Sequence, residues 1–296
     1  MATHRLFCTL APNGEGQGEG ADAIGSDRCS PSNVFPRPDG ARVAVWMISR
    51  RKSALAKMPN TLSESSLLTL ADTCLLWGHR LSEWCGHGPA LEEDIALTNT
   101  ALDVIGQARA LLQLVAARRT PGTTEDALAY FRDSHDFRNV TLAELPNGDY
   151  AQTVLRSLLL AAWFVPIWEA LIVSADRPVA LIAANAAKEA RMQLRHAHDW
   201  VVRFGDGTVE SRGRIEAAMA ALWPYCAELL DIEIDGTERA ARRDSWQHFV
   251  ASAIADATLS MAPMTGPKKS DEPHQHRVSL LAEMQSLARQ HPNAVW

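Results

Sequence analysis

The sequence predicts an all-α fold: a four-helix bundle followed by additional C-terminal helices. Three observations carry this expectation. From about residue 62 onward apolar residues recur at spacings of 3 and 4, no segment alternates like a half-buried strand, and Gly or Pro clusters punctuate the periodic stretches. Leu67, Leu70, Cys74, Trp77, Leu81 and Trp84 form the apolar stripe of a first long helix, closed by Gly86 and Gly88. Pro89 at a first helical position, with Glu92, Glu93 and Asp94 in the electropositive first turn, opens a second. Its seam is Leu97, Ala101, Val104, Ala108, Leu111 and Val115, and Pro121-Gly122 ends it.

A short helical piece near 124–133 leads through Asp136, Phe137, Arg138 and Asn139 to the turn Pro146-Asn147-Gly148. Asp149 is placed to cap the third long helix, which is apolar nearly all round from Val154 to Val173 and so belongs at the centre. Pro166 inside it frees the carbonyl near Ala162 and predicts a kink. The fourth helix, about 178–204, shows the apolar series Ala183, Ala187, Ala190, Leu194, Ala197, Val201 and Phe204 before Gly205-Asp206-Gly207 stops it. Helices over about 208–230 and 238–259, a Pro/Lys loop from Pro263 to Pro273 and a last helix ending near His291-Pro292 complete the chain.

Residues 1–57 follow no such design. They hold 8 of the 29 Lys+Arg but 5 of the 35 Asp+Glu, are rich in Gly and Pro, and show no sustained period. They are expected to be a disordered leader, with Met58 a candidate start of the functional chain and 58–296 the helical domain. The remaining 239 residues carry 21 basic and 30 acidic side chains, a net of −9, which disfavours nucleic acid or an anionic membrane as the main partner. The longest uncharged stretch, Ser157 to Trp168, has 12 residues, short of the ~20 that span a bilayer. Cys74 and Cys85 sit 11 positions apart on one expected helix, roughly 16 Å, too far to pair, so a reduced cytoplasmic setting is expected.

A bundle of this size raises the question of a carboxylate-bridged di-iron centre, which needs Glu-x-x-His pairs because i, i+3 ligands share one inward face. No Glu here has a His three residues later, and among Asp residues only Asp271 does, with His274, in a Pro-flanked loop. At the ligand positions best placed by sequence stand Asp103 with Gly106 and Glu189 with Met192, where Gly offers no donor and a thioether suits hard iron poorly. The expectation is a scaffold with no metal of its own. The alternative is an independent metalloenzyme built on Asp103, Glu83, Glu169 and Glu189. His196 and His198, two apart, point to opposite sides of a helix and form no chelate, and Glu83 with His87 suits a helix end. Lys188, Arg191, Arg195 and His198 make a basic stripe suited to a phosphate or a partner, unless an Arg195–Asp199 pair simply decorates a solvated face. Arg132, Arg138 and Asn139 offer either phosphate contacts or loop anchors.

Four long segments carry a resemblance: LSEWCGHGPALEEDIALTNTALDVIGQARALL (81–112), RDSHDFRNVTLAELPNGDYAQTVLR (132–156), KEARMQLRHAHDWVVRFGDGT (188–208) and LLAEMQSLARQHPNAVW (280–296). Over about 62–296 the chain resembles the PaaC-type structural subunits of bacterial ring 1,2-phenylacetyl-CoA epoxidases. The resemblance implies a ferritin-like bundle without catalytic residues of its own, paired with a PaaA-type catalytic subunit that holds the di-iron centre. It further implies O2 and NADPH as co-substrates, a reductase carrying FAD and an iron–sulfur cluster, and phenylacetyl-CoA at the subunit boundary. The segment Asp136, Phe137, Arg138 and Asn139 is the one it marks for substrate binding. Gln193 stands where that family usually has His, the connection around 231–245 is shorter than usual, and DEPHQHRVS (271–279) matches poorly.

Overall fold

The computed structural model describes residues 61–119, 121–261, 275–292 and 294, all within one compact unit of residues 49–296. The leader expected over 1–57 and the Pro/Lys loop lie outside the described residues. Among the described residues every regular element is helical. The order is α1 (Glu64–Ser82), α2 (Leu91–Arg118), α3 (Glu125–Tyr130), a 3-10 turn (Ser134–Asp136), α4 (Thr141–Glu144), α5 (Tyr150–Leu171), α6 (Arg177–Gly205), α7 (Val209–Leu222), α8 (Cys226–Asp231), α9 (Arg239–Asp256), α10 (Gln275–Met284) and α11 (Ser286–Gln290).

The bundle is two helix pairs, α1 with α2 and α5 with α6, closed by contact between α2 and α6. All six residues of the expected α2 seam are buried. At the crossing of α1 and α2 the backbones come so close that a Cβ on Gly78 would lie 2.5 Å from Ile105 Cγ1. Asp149 caps α5 as expected, accepting the Gln152 amide at 2.9 Å. The α5 helix is buried along almost its whole length. It is long and apolar enough by composition to cross a membrane, yet it is the core of the bundle, wrapped by its neighbours. Its centre is an aromatic column: Phe164 stacks on Trp168 (5.8 Å, 3°) and on Trp77 of α1 (5.9 Å, 14°), with Trp163 edge-on at 4.8 Å. Outer helices lock onto α5 through indole hydrogen bonds, Trp246 Nε1 donating to the Leu159 carbonyl and Trp163 Nε1 to that of Leu229.

Several boundaries differ from expectation. Helix α1 stops at Ser82, and Trp84 lies in the following turn, where its Nε1 donates to Thr153 Oγ1 at 3.0 Å. Helix α2 begins at Leu91 with Ala90 as an N-cap that makes no side-chain bond, so Pro89 precedes the helix rather than opening it. The single helix expected over 208–230 is two, split by a 3-10 turn at Trp223–Tyr225 around Pro224, whose missing N–H interrupts the ladder. By contrast α5 runs as one α-helix through Pro166. The last helix breaks at Gln285, whose Nε2 donates to the carbonyls of Ala129 and Arg132.

Candidate functional site

The connection from α3 to α4 is held on a buried carboxylate. Asp72, fully buried on α1, accepts from both terminal nitrogens of Arg132 and, at 2.9 Å, from the Arg138 amide. Burial holds the Asp72 carboxyl above its ordinary range despite the Arg132 guanidinium beside it. That guanidinium also lies 4.2 Å over the Phe137 ring. Asn139 donates to Glu144 Oε2 (2.8 Å) and accepts from Arg277 of α10, which also donates to the Phe137 carbonyl. Gln285 and Arg289 fasten the other end of the loop by donating to the Arg132 carbonyl. The C-terminal helices are therefore a clamp on residues 129–139.

Phe137 and Asn139 are thus committed inward, while Asp136 and Arg138 face solvent. Arg138 keeps one guanidinium bond, to Ser65 Oγ at 2.8 Å. Arg132 is a loop anchor, the second of the two roles its sequence position allowed.

On α6 the structure brings Lys188, Arg191 and Arg195 together along a surface depression of about 550 Å³, completed by Val165, Glu169, Met192, Leu194 and Phe249. Arg191 pairs with Glu169 at 2.6 Å, whereas Lys188 and Arg195 make no ion pair among the described residues, so the expected Arg195–Asp199 pair does not form. His198 turns away from the depression, its Nε2 3.1 Å from Asp256 Oδ2. His196 Nε2 lies 2.9 Å from Glu93 Oε2, and the same oxygen accepts from Tyr150 Oη at 2.5 Å. The two histidines serve separate tethers, as their spacing implies.

The carboxylates of the alternative metal site do not converge. Glu83 pairs with Arg80 and accepts from Asn147, and Glu169 is taken by Arg191. Only Asp103 and Glu189 share a place, a groove between α2 and α6. Gly106 and Met192, placed at ligand positions by the sequence, face outward, Met192 being 62% exposed. The inward positions one residue on are Gln107 and Gln193, 7% and 6% exposed. Gln107 Nε2 donates to Glu189 Oε2 at 2.7 Å while its Oε1 sits 3.7 Å from Cys74 Sγ, and Gln193 Nε2 has no partner among the described residues. Burial, with Glu189 nearby, pushes the Cys74 thiol far up and keeps it neutral. Two carboxamides, a neutral thiol and one carboxylate are not a donor set for hard iron.

A family model described as phenylacetic acid catabolic protein matches residues 47–296. The chain belongs to that family. A relative from Escherichia coli (strain K12), the C component of 1,2-phenylacetyl-CoA epoxidase, is 40% identical over 242 residues, which cover 77% of this chain and 97% of the relative. Family membership gives the bundle its class, ferritin-like, and covers all four segments on which the resemblance rests. The loop 129–139 and the depression on α6 both present charged side chains to another molecule. Sequence reasoning missed Asp72 as the organiser of the loop. Its signal was an acid inside the apolar run from Leu67 to Trp77, where an uncompensated charge has no reason to be.

Proposed function

We propose that this chain is a structural, non-catalytic subunit of a multicomponent phenylacetyl-CoA epoxidase in phenylacetate degradation. It buttresses a PaaA-type catalytic subunit and contributes to the acyl-CoA site at their boundary. The observation that carries this is the interior of the bundle, where Gln107 and Gln193 occupy inward positions on two of the long helices and the flanking Gly106 and Met192 turn outward. A bundle with carboxamides at these positions supports a partner rather than binding iron itself. The di-iron centre of the catalytic subunit supplies O2 activation, and NADPH, FAD and an iron–sulfur cluster supply electrons through a separate reductase; this chain holds none of them. Asp136 and Arg138 are the members of the Asp136–Asn139 segment free to meet the acyl-CoA, Arg138 through charge-assisted bonds to phosphate, while Phe137 and Asn139 hold the segment in shape. Lys188, Arg191 and Arg195 form the partner or phosphate contact, with His198 outside it. The acidic surface fits neither nucleic acid nor anionic membrane as partner, and the protein works in the cytoplasm.

The test is co-expression with the catalytic subunit of the same epoxidase. Co-purification, with phenylacetyl-CoA turnover requiring both chains, is expected. Stoichiometric iron on the isolated chain, or failure to co-purify, would overturn the reading.

A further inference from the structure

The groove between α2 and α6 has a shape and a charge that the scaffold role does not use. Its volume is about 450 Å³. Leu102 and Leu181, 64% and 63% exposed, form its walls, and Gly106, Ala110 and Ala186 its floor. Asp103 and Glu189 supply two carboxylates, and among the described residues no cation lines it. The stripe continues along the outer face of α2 through the exposed Ile95 and Leu91, which share the register of Leu102 and Gly106. Leucines this exposed on one helix face are a mark of an interface.

Resting on the proposed role as a partner of the catalytic subunit, we propose that this groove is the seat of a helix from that subunit, one that inserts a Lys or Arg side chain between Asp103 and Glu189 and lays apolar residues along Leu91, Ile95, Leu102 and Leu181.

Three observations favour this occupant. Asp103 makes no ion pair among the described residues, and partial burial followed by the Glu189 charge holds its carboxyl above the ordinary range, a penalty that an incoming cation relieves. Gly106 lies inside a 28-residue helix, where Gly is a poor helix former, yet a Cβ there would meet nothing within 4 Å. No neighbour among the described residues requires the missing side chain, whereas a second helix backbone approaching the groove does. Finally, the basic stripe of this chain lies on the same helix, α6, on a different side. The central member of that stripe, Arg191, is already paired with Glu169 at 2.6 Å, so a second copy would offer a partly neutralised match, and an unpaired cation on the catalytic subunit fits the groove better.

The experiment measures the affinity of the full-length chain for the catalytic subunit of the same epoxidase, by biolayer interferometry, with three variants. Gly106→Leu fills the groove floor at a position open enough to leave the fold intact. Asp103→Lys reverses the charge. Gly213→Leu makes the same kind of change on α7, where a Cβ again meets nothing within 4 Å, and serves as the control. The expected result is that Gly106→Leu and Asp103→Lys each weaken binding tenfold or more with melting temperature unchanged or raised, while Gly213→Leu binds like wild type. If wild type binds and both groove variants bind equally well, the groove assignment fails and the scaffold reading stands. If wild type does not bind, the scaffold reading fails and the assignment with it. Concentration-dependent self-association in sedimentation that Gly106→Leu abolishes would make the occupant a second copy, overturning the proposal.

Discussion

Replacing Asp72 by Leu removes the acceptor of three hydrogen bonds and leaves the Arg132 guanidinium, whose side chain is nearly buried, without its counter-charge. Breaking a buried ion pair from one side costs roughly 3–5 kcal/mol. For a domain of this size that is a fall in Tm of roughly 6–20 °C. The double variant Asp72→Leu/Arg132→Met removes both charges. What remains is the orphaned Arg138 amide, about 1–3 kcal/mol, and the lost cation–π contact with Phe137, about 0.5–2 kcal/mol. Together these come to about as much as the single variant loses. The two substitutions are therefore non-additive: with Arg132→Met alone also costing roughly 3–5 kcal/mol by stranding the carboxylate, the coupling is at least about 1 kcal/mol. Urea denaturation of the four proteins in the cycle measures it. A loss under about 1 kcal/mol for Asp72→Leu, or simple additivity in the double variant, would refute the account of Asp72 as the anchor of the 132–139 loop.

Three further outcomes are expected. Gly78→Ala and Gly106→Ala change stability in opposite directions: the first forces a methyl against Ile105 and loses about 1 kcal/mol net, and the second gains about 1 kcal/mol from helix propensity, as chemical denaturation would show. Burial lowers the His79 pKa, and its Nε2 has no partner among the described residues, so the folded chain resists a proton that the unfolded chain takes up near pH 6.5. Stability due to this group is complete above that pH and declines as pH falls below it, and the difference between wild type and His79→Gln across pH 5–7 isolates the effect; parallel curves would contradict it. Tyr150→Phe keeps the ring against Trp84, Trp200 and Phe204 but deletes the bond to Glu93, costing about 1.5–3 kcal/mol by urea denaturation.

The long helices were legible because their burial follows from period alone: the seam from Leu97 to Val115 and the all-round apolar α5 needed no tertiary information. Pro166 and Pro224 show the limit. Both remove a backbone donor and both are half-buried, yet α5 runs through Pro166 as one α-helix while the chain around Pro224 turns into 3-10 geometry, an outcome that local sequence does not decide. At the site, sequence put Lys188, Arg191 and Arg195 on one stripe but added His198, which lies outside it, and it left the loop's anchors unpaired, since Asp72–Arg132 and Asn139–Arg277 are 60 and 138 residues apart. The choice between Gly106 and Gln107 as the inward residue turns on one residue, about 100° of helix rotation, which helical packing decides and local spacing does not.

The two flanks of α6 have a consequence for how a complex would find its form. One flank carries Lys188, Arg191 and Arg195 and the other borders Asp103 and Glu189. A chain approaching with matching charges is drawn in at distances of up to about a Debye length, roughly 8 Å at physiological salt, before any side chain touches. The same chain turned end for end meets like charge on both flanks and is turned away. A single helix with opposite signs on its two sides thus acts as a polarity mark, setting the orientation of an encounter before the apolar surfaces meet.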